Sequence, residues 1–413
     1  MNTAISEAKR NGMKSGALLY DLSAAFDTID PENICNKLRI YGLTQEATKW
    51  MRSYLTKRRF LVKIDNVKSE LIDMEVGTPQ GSRLSPIIFS ILMADLDLWS
   101  RKGTIINFAD DTSTIYSDRE EDKIVGEFEE DSKQIIKFMN SNSLCINPEK
   151  TAFLISGKRK KEKKTIKVGK NTITEKDSEK LLGMVMHKNQ DWKPHKQGVT
   201  KKLQKSLGVI KMLSYELPKK ILTTVGQALL ISNIRYGCSL YVRPRLNNND
   251  PKFGELKEMQ TFQNKLMRLI TRSKVDQLST KELLEETNYQ SVNHIVVYHL
   301  VMETKNCLYN GSSELLKEKL RSNPKKGRNV TRLESRGDLF VPLKLGSGDW
   351  LYWSTKVWNK VPYSIRQKLE SEKCKVEDLK KKWHTLLAMQ LDKQAESDFK
   401  NAIQIWIEKH IPI

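Results

Sequence analysis

The chain has 413 residues, 38% hydrophobic and 29% charged, which excludes a disordered polymer and leaves room for two or three domains. Its 71 Lys and Arg against 50 Asp and Glu give a formal net charge of +21 and a pI near 9.5. That excess points to a polyanionic partner, nucleic acid being the commonest, and fits a lysine-rich solubilising surface about as well.

Residues 16–22 (GALLYDL) read as a short buried strand ending at Asp21. Pro31 opens a helix over 31–41, and Thr44 caps a second over about 44–56. Segments 60–64 and 70–76 alternate apolar and polar around DNVKS, the pattern of a hairpin. The loop GTPQGSRLSP then leads into a helix from Ser85, with Ile88, Ile91, Leu92, Leu96 and Trp99 on one side. TIINFADDTSTIY at 104–116 reads as strand, acidic turn, strand. The stretch 119–140 is an amphipathic helix with an acidic first turn and a stripe of Ile124, Phe128, Ile135 and Phe138. Cys145–Ser156 reads as a strand with a turn at Asn147-Pro148. Together these elements predict an α+β layer: an open antiparallel sheet backed by helices. A basic run, Lys158–Lys170, interrupts the pattern; it reads as a nucleic-acid or nuclear-localisation patch, or as a disordered loop. From about 195 to 320 the chain reads as helical, for example over 197–214, 219–236 and 254–271, with Lys201, Lys202, Lys205 and Lys211 on a phosphate-facing or solvated face. Residues 322–348 have the composition of a linker, and 349–413 form a helical end rich in core tryptophans. The expected domains are therefore 1–194, 195–321 and 349–413, joined by 322–348.

Five scattered cysteines without a C-x-x-C pair argue against a disulfide framework and against structural zinc. No apolar leader or membrane-length stretch is present, so an intracellular protein of nucleus or cytoplasm with no membrane partner is expected.

Two carboxylate features carry chemistry. Asp21 ends an apolar strand, and Asp110-Asp111 sit between two apolar strand arms. Adjacent acids at a turn repel each other, and a divalent cation relieves that repulsion. Nucleotidyl transfer uses such a clamp, with two ions roughly 3.5–4 Å apart. Taken alone, Asp-Asp is an ordinary solvated turn dipeptide.

The neighbours of these acids supply an ordered set of motifs. DLSAAFDTID (21–30) resembles motif A of reverse transcriptases, GTPQGSRLSPIIFSILMADL (77–96) motif B, and NFADDTSTIY (107–116) motif C in its FADD form. NPEKTAFLIS (147–156) resembles motif D, and LLGMVM (181–186) motif E, the primer grip. All five stand in the family order. WMRSYLTKRRFLVKI (50–64) and KVWNKVP (356–362) resemble further segments of the non-LTR (LINE-like) retrotransposon enzymes.

The resemblance implies an RNA-directed DNA polymerase with a right-hand palm, a helical thumb and a helical C-terminal region. Its cofactors would be two Mg²⁺ ions, with Mn²⁺ as substitute, and its partners an RNA template, a DNA primer and dNTPs. Asp21, Asp110 and Asp111 would be catalytic metal ligands, joined by the Leu22 carbonyl. Phe26 would be the steric gate against ribonucleotides, where plain core packing is the bland reading. Gln80 and Gly81 would lie against nucleotide and template, and Lys150 would protonate pyrophosphate or be a surface lysine. Leu182 and Gly183 would form the primer grip. Arg83 stands where the family often has an apolar residue. Motif A begins only about twenty residues from Met1, so most of the family's fingers are expected to be missing and the isolated chain to polymerise poorly or not at all. The alternative is a nucleic-acid-binding relic that keeps the fold without a working dNTP site. An RNA-dependent RNA polymerase is disfavoured by Phe26, and a group II intron maturase by the C-terminal tail.

Overall fold

The computed structural model describes residues 1–156, 162–251, 253–311, 313–321, 338–342, 349–381 and 385–413. The chain divides into two compact units, Thr3–Asn189 and Gln190–Ile413. The start of the basic run, 158–161, and most of the expected linker, 322–337 and 343–348, lie outside the described residues.

The first unit is α+β. Strands β1 (Lys14–Tyr20), β2 (Thr104–Phe108), β3 (Asp111–Asp118) and β4 (Ala152–Ile155) form one sheet, antiparallel throughout, in the order β4-β1-β3-β2. Its interior strand, β1, has Ala17, Leu18, Leu19 and Tyr20 all buried, which is why it reads as an unbroken apolar run instead of an alternating one. Beyond Tyr20 the chain continues as a short pair, Leu22 opposite Ile146 and Ser23 opposite Cys145.

Local rules explain the helices. After α1 (Asn2–Arg10), the Asp30 carboxylate accepts the Glu32 amide at 2.9 Å and Pro31 fills the first turn, which starts α2 (Pro31–Ile40). Thr44 caps α3 (Gln45–Leu55) through the Ala47 amide at 3.3 Å. Helix α4 (Ser85–Met93) follows the PQG loop, and α5 (Glu121–Ser141) lays Ile124, Phe128, Ile135 and Phe138 in the core. Burying those four side chains contributes on the order of 6–12 kcal/mol of transfer free energy, an upper bound.

The basic run needs a correction. From Thr165 it is structured: β5 (Thr165–Val168) pairs with β6 (Asn171–Thr174). Ile166, Val168 and Ile173 are buried while Thr165, Lys167 and Thr172 face out. The lysines sit at outward positions of a period-2 pattern, so charge count hid the strand. A second hairpin follows, β7 (Ser178–Leu181) with β8 (Met184–His187).

The second unit is helical among the described residues, with α6 (Lys193–Leu213), α7 (Lys219–Gly226), α8 (Gly254–Thr271), α9 (Thr280–Thr287), α10 (Val292–Tyr309) and α11 (Trp350–Lys360) among its helices. The expected helix over 219–236 forms, running from α7 through a π-helical stretch at Gln227–Ile231 to Arg235. Helix α10 is buried almost all round, as a central helix must be, and even Lys305 is fully enclosed, paired with Glu396 at 3.2 Å. Trp350, Trp353, Trp358 and Trp406 are core residues; Trp383 lies outside the described residues. No helix among the described residues is long and apolar enough to cross a membrane.

One buried acid locks the sheet to α5. Asp131 is fully buried and accepts from Tyr116 Oη at 2.5 Å, Ser100 Oγ at 2.7 Å, and the amides of Arg101 (3.2 Å) and Gly103 (3.4 Å). Burial pushes its pKa up, but the four hydrogen bonds outweigh burial and hold the carboxyl below its ordinary value. Asp131→Asn should destabilise the chain by about 2–4 kcal/mol in urea unfolding at neutral pH, because the amide cannot accept from four donors. The lowered carboxyl contributes fully above the unfolded value of about 3.9 and loses its contribution as pH falls through the native value. The gap between wild type and variant should therefore narrow below about pH 4; a gap constant down to pH 2 contradicts this account.

Candidate active site

The sheet register assembles the acids. Tyr20 is opposite Thr112 in the antiparallel pairing of β1 and β3, so the next step along each strand sets Asp21 beside Asp111. Phe108 faces Asp111 across β2 and β3, which leaves Ala109-Asp110 as a two-residue turn. Three carboxylates thus meet at one end of the sheet. Burial, then the charges of Asp110 and Asp21, raise the pKa of Asp111. Asp110 is exposed and Asp21 is half-buried.

The turn after the Leu22 pairing completes the neighbourhood. The Asn147 amide donates to the Asp21 carbonyl at 2.7 Å, and Thr151 Oγ1 donates to the Asn147 carbonyl at 2.7 Å. This folds the 147–151 turn under Asp21 and brings Lys150 Nζ to 3.7 Å from Asp21 Oδ2. Lys150 is well exposed and Asp21 half-buried, so the pair adds little stability.

The motif B loop docks on the loop after Asp21. Gly77 donates its amide to the Ile29 carbonyl at 2.7 Å, and Thr78 to the Phe26 carbonyl at 2.9 Å. Arg58 clamps the loop from outside, donating to the carbonyls of Val76 (2.9 Å) and Gly77 (2.6 Å). Gln80 Nε2 donates to Asp27 Oδ1 at 3.1 Å. The Phe26 ring is half-buried and lies 4.8 Å from the Phe89 ring, which fixes its orientation. Asp27 and Arg58 escaped the sequence reading as structural parts of this site. The signal for Asp27 was its place in D-L-S-A-A-F-D; Arg58, which reaches carbonyls nineteen residues away, left none.

Leu182 and Gly183 form the tip of the β7–β8 hairpin, with φ of 47° and 77°. Positive φ at both central residues is what a type I′ turn demands. Arg83 is exposed on the motif B loop.

The donor set is all hard oxygen, and crowded acids of this kind suit a hard divalent cation. Among the described residues no three His, Cys, Asp or Glu side chains converge closely enough to hold an ion alone.

An antiparallel sheet presents paired acids at a hairpin, with a glycine-bearing loop packed beside them. Residues 2–186, nearly the whole of the first unit, match the family model described as "Reverse transcriptase (RNA-dependent DNA polymerase)". The chain is 24% identical over 277 residues to the probable RNA-directed DNA polymerase from transposon BS of Drosophila melanogaster, covering 62% of this chain and 29% of that one. It is 22% identical over 263 residues to the one from the X-element of the same species, covering 62% and 28%. A stretch of 90 residues is 30% identical to the RNA-directed DNA polymerase from mobile element jockey of Drosophila funebris, covering 22% and 10%. The chain thus spans less than a third of the length of these relatives. Telomerase from Candida tropicalis, in complex with a fragment of telomeric RNA, aligns at 12% identity over 70% of this chain and 52% of that one, with a TM-score of 0.35.

Two glycine substitutions separate space from conformation. Gly77 has φ +83°, and a Cβ there would stand 2.8 Å from the Asp27 carbonyl oxygen; Gly81 has φ +81° and open space around it. Gly81→Ala should cost about 1 kcal/mol of stability, and Gly77→Ala about 2–4 kcal/mol because its loop must also lift off Asp27. Thermal unfolding of the two variants side by side checks this; equal losses contradict it.

Proposed function

We propose that the chain carries the polymerase core of a non-LTR retrotransposon reverse transcriptase, which extends a DNA primer with dNTPs on an RNA template. The observation that carries this reading is the β1–β3 register, which sets Asp21 beside Asp110-Asp111 inside the reverse transcriptase domain. In this reading residues 1–194 serve as palm with partial fingers, 195–321 as thumb, and 349–413 as a C-terminal helical region.

Asp21, Asp110 and Asp111, with the Leu22 carbonyl, would hold the Mg²⁺ ions. Bound there, two divalent ions supply activation of the primer hydroxyl and neutralisation of the pyrophosphate leaving group. The protein's own part is positioning. Phe26, wedged on Phe89, blocks the space a ribose 2′-hydroxyl needs. Gln80, tied to Asp27, and the left-handed Gly81 shape the floor under the incoming nucleotide. Lys150, beside Asp21, is placed to give a proton to pyrophosphate. The Leu182-Gly183 tip brings bare backbone to the primer strand. The net charge of +21 supports binding to nucleic-acid backbone, which weakens steeply with salt.

Primer extension on a heteropolymeric RNA template with Mg²⁺ and dNTPs tests the proposal. Asp110→Asn should lower incorporation at least about 100-fold, corresponding to roughly 2.7 kcal/mol of barrier. Phe26→Ala should raise rNTP use relative to dNTP by about 10²-fold while dNTP incorporation persists. Extension that is indifferent to Asp110→Asn sinks the reading. Salt-sensitive RNA binding without any extension by the wild-type chain points instead to a binding relic.

A further inference from the structure

The second unit contains a cavity of about 910 Å³, roomy enough for two or three nucleotides, with no part in the polymerase reading. It opens between the π-helical stretch after α7, the C-terminal end of α9, the first turns of α10 and the end of the chain. Its lining is an array of planar polar and aromatic groups. Arg235 is half-buried, and its guanidinium donates to the Gln227 amide oxygen at 3.1 and 3.2 Å with that amide turned oxygen-first. It has no carboxylate partner within 4.0 Å among the described residues, which leaves its charge open to an anion entering the cavity. The side-chain amides of Asn288 and Gln290 and the imidazole of His299 have no hydrogen-bond partner among the described residues. Tyr298, half-buried, stands edge-on to His299 with ring centroids 6.1 Å apart.

The acids on the rim are already engaged. Glu285 is paired with Lys281 at 4.0 Å, and Glu408 accepts from Gln404 at 2.7 Å. Burial, then the positive charge of Arg235, lower the pKa of His299, which leaves its ring neutral, with one nitrogen to donate and one to accept.

We infer that this cavity binds unpaired nucleotides of a single-stranded nucleic acid, taking a phosphate on Arg235, base edges on Asn288, Gln290 and His299, and a base face on Tyr298. An unstacked base offers donors and acceptors on its edge and a π-face to stack, which is what this lining matches. Arg supplies the bidentate fork that phosphate accepts. The inference deepens the polymerase reading by giving the template strand a second hold, in the helical unit.

The test uses the full chain and a fluorescein-labelled unpaired RNA decamer carrying 4-thiouridine. Tyr298→Ala and Arg235→Gln should each weaken binding about tenfold, equivalent to roughly 1.4 kcal/mol. Gln290→Ala, which breaks no side-chain hydrogen bond among the described residues, should weaken it about threefold and guards against misfolding. Photocrosslinks should map to the peptide containing Asn288–His299. Binding unchanged in all three variants, or crosslinks elsewhere only, overturns the inference. Asp110→Asn separates the two readings: it should abolish extension while leaving the decamer crosslink in place, so a failed crosslink and a failed extension are distinct results.

Discussion

The antiparallel pairing of β1 with β3 is the constraint on which the first unit depends. Side chains alternate faces along a strand, so a slip of one residue would turn Asp21 to the other side and move Leu18 and Tyr20 out of the core. The observed register places Leu18 and Tyr20 in the core shared with α5, and Ala17 and Leu19, on the other face, are buried as well. The proposed metal site would need three like charges side by side, which is unfavourable on its own. The strand pairing imposes that juxtaposition with apolar burial from residues next door in sequence.

The surroundings of the acids divide the labour. On the far end of β3, Asp131 gathers the Tyr116 hydroxyl, Ser100 and two backbone amides, tying α5 to the sheet and to the turn that starts β2. Near the acids, the amides of Gly77 and Thr78 hold the motif B loop against the motif A loop, Arg58 grips its carbonyls from outside, and the Gln80 side chain adds a bond to Asp27. Such backing suits the proposed polymerase site, whose groups must be held in place before substrate arrives.

Much of this was legible in the sequence, for physical reasons that differ by element. The α5 stripe, the Asp30-Pro31 and Thr44 helix starts and the FADD turn are local: each signal lies within one or two turns of chain, and each element forms where read. What sequence reading missed is non-local or disguised. Lysines at outward positions concealed the β5–β6 hairpin. The Arg58 clamp depends on two hairpin arms closing around a turn at Asp65, and no spacing rule reveals it. Asp131 looked like one more charge on an acidic helix; its burial follows only once Tyr116 and the 100–103 turn are brought to it.

Backbone strain offers an independent argument for where function resides. Among the described residues, nine that are not glycine have positive φ, and six of these are polar or charged. Several do ordinary service: Arg272 and Asn288 end helices, and Asp65 turns a hairpin. The three apolar ones are Ala24, Ala109 and Leu182. Alanine and leucine have no side-chain hydrogen bond to offset the left-handed conformation, which costs roughly 1–2 kcal/mol each. Ala24 lies between Asp21 and Phe26, Ala109 immediately precedes Asp110, and Leu182 sits at the tip of the β7–β8 hairpin. A glycine at any of these positions would relieve the strain and also loosen the turn. Strain of this kind persists where the surroundings over-determine the backbone, and the advantage of tolerating it is a turn held in one geometry before any ligand arrives. The same three loops carry the acids, the ring on Phe89 and the exposed hairpin tip, so the geometry of the backbone and the chemistry of the side chains single out the same places.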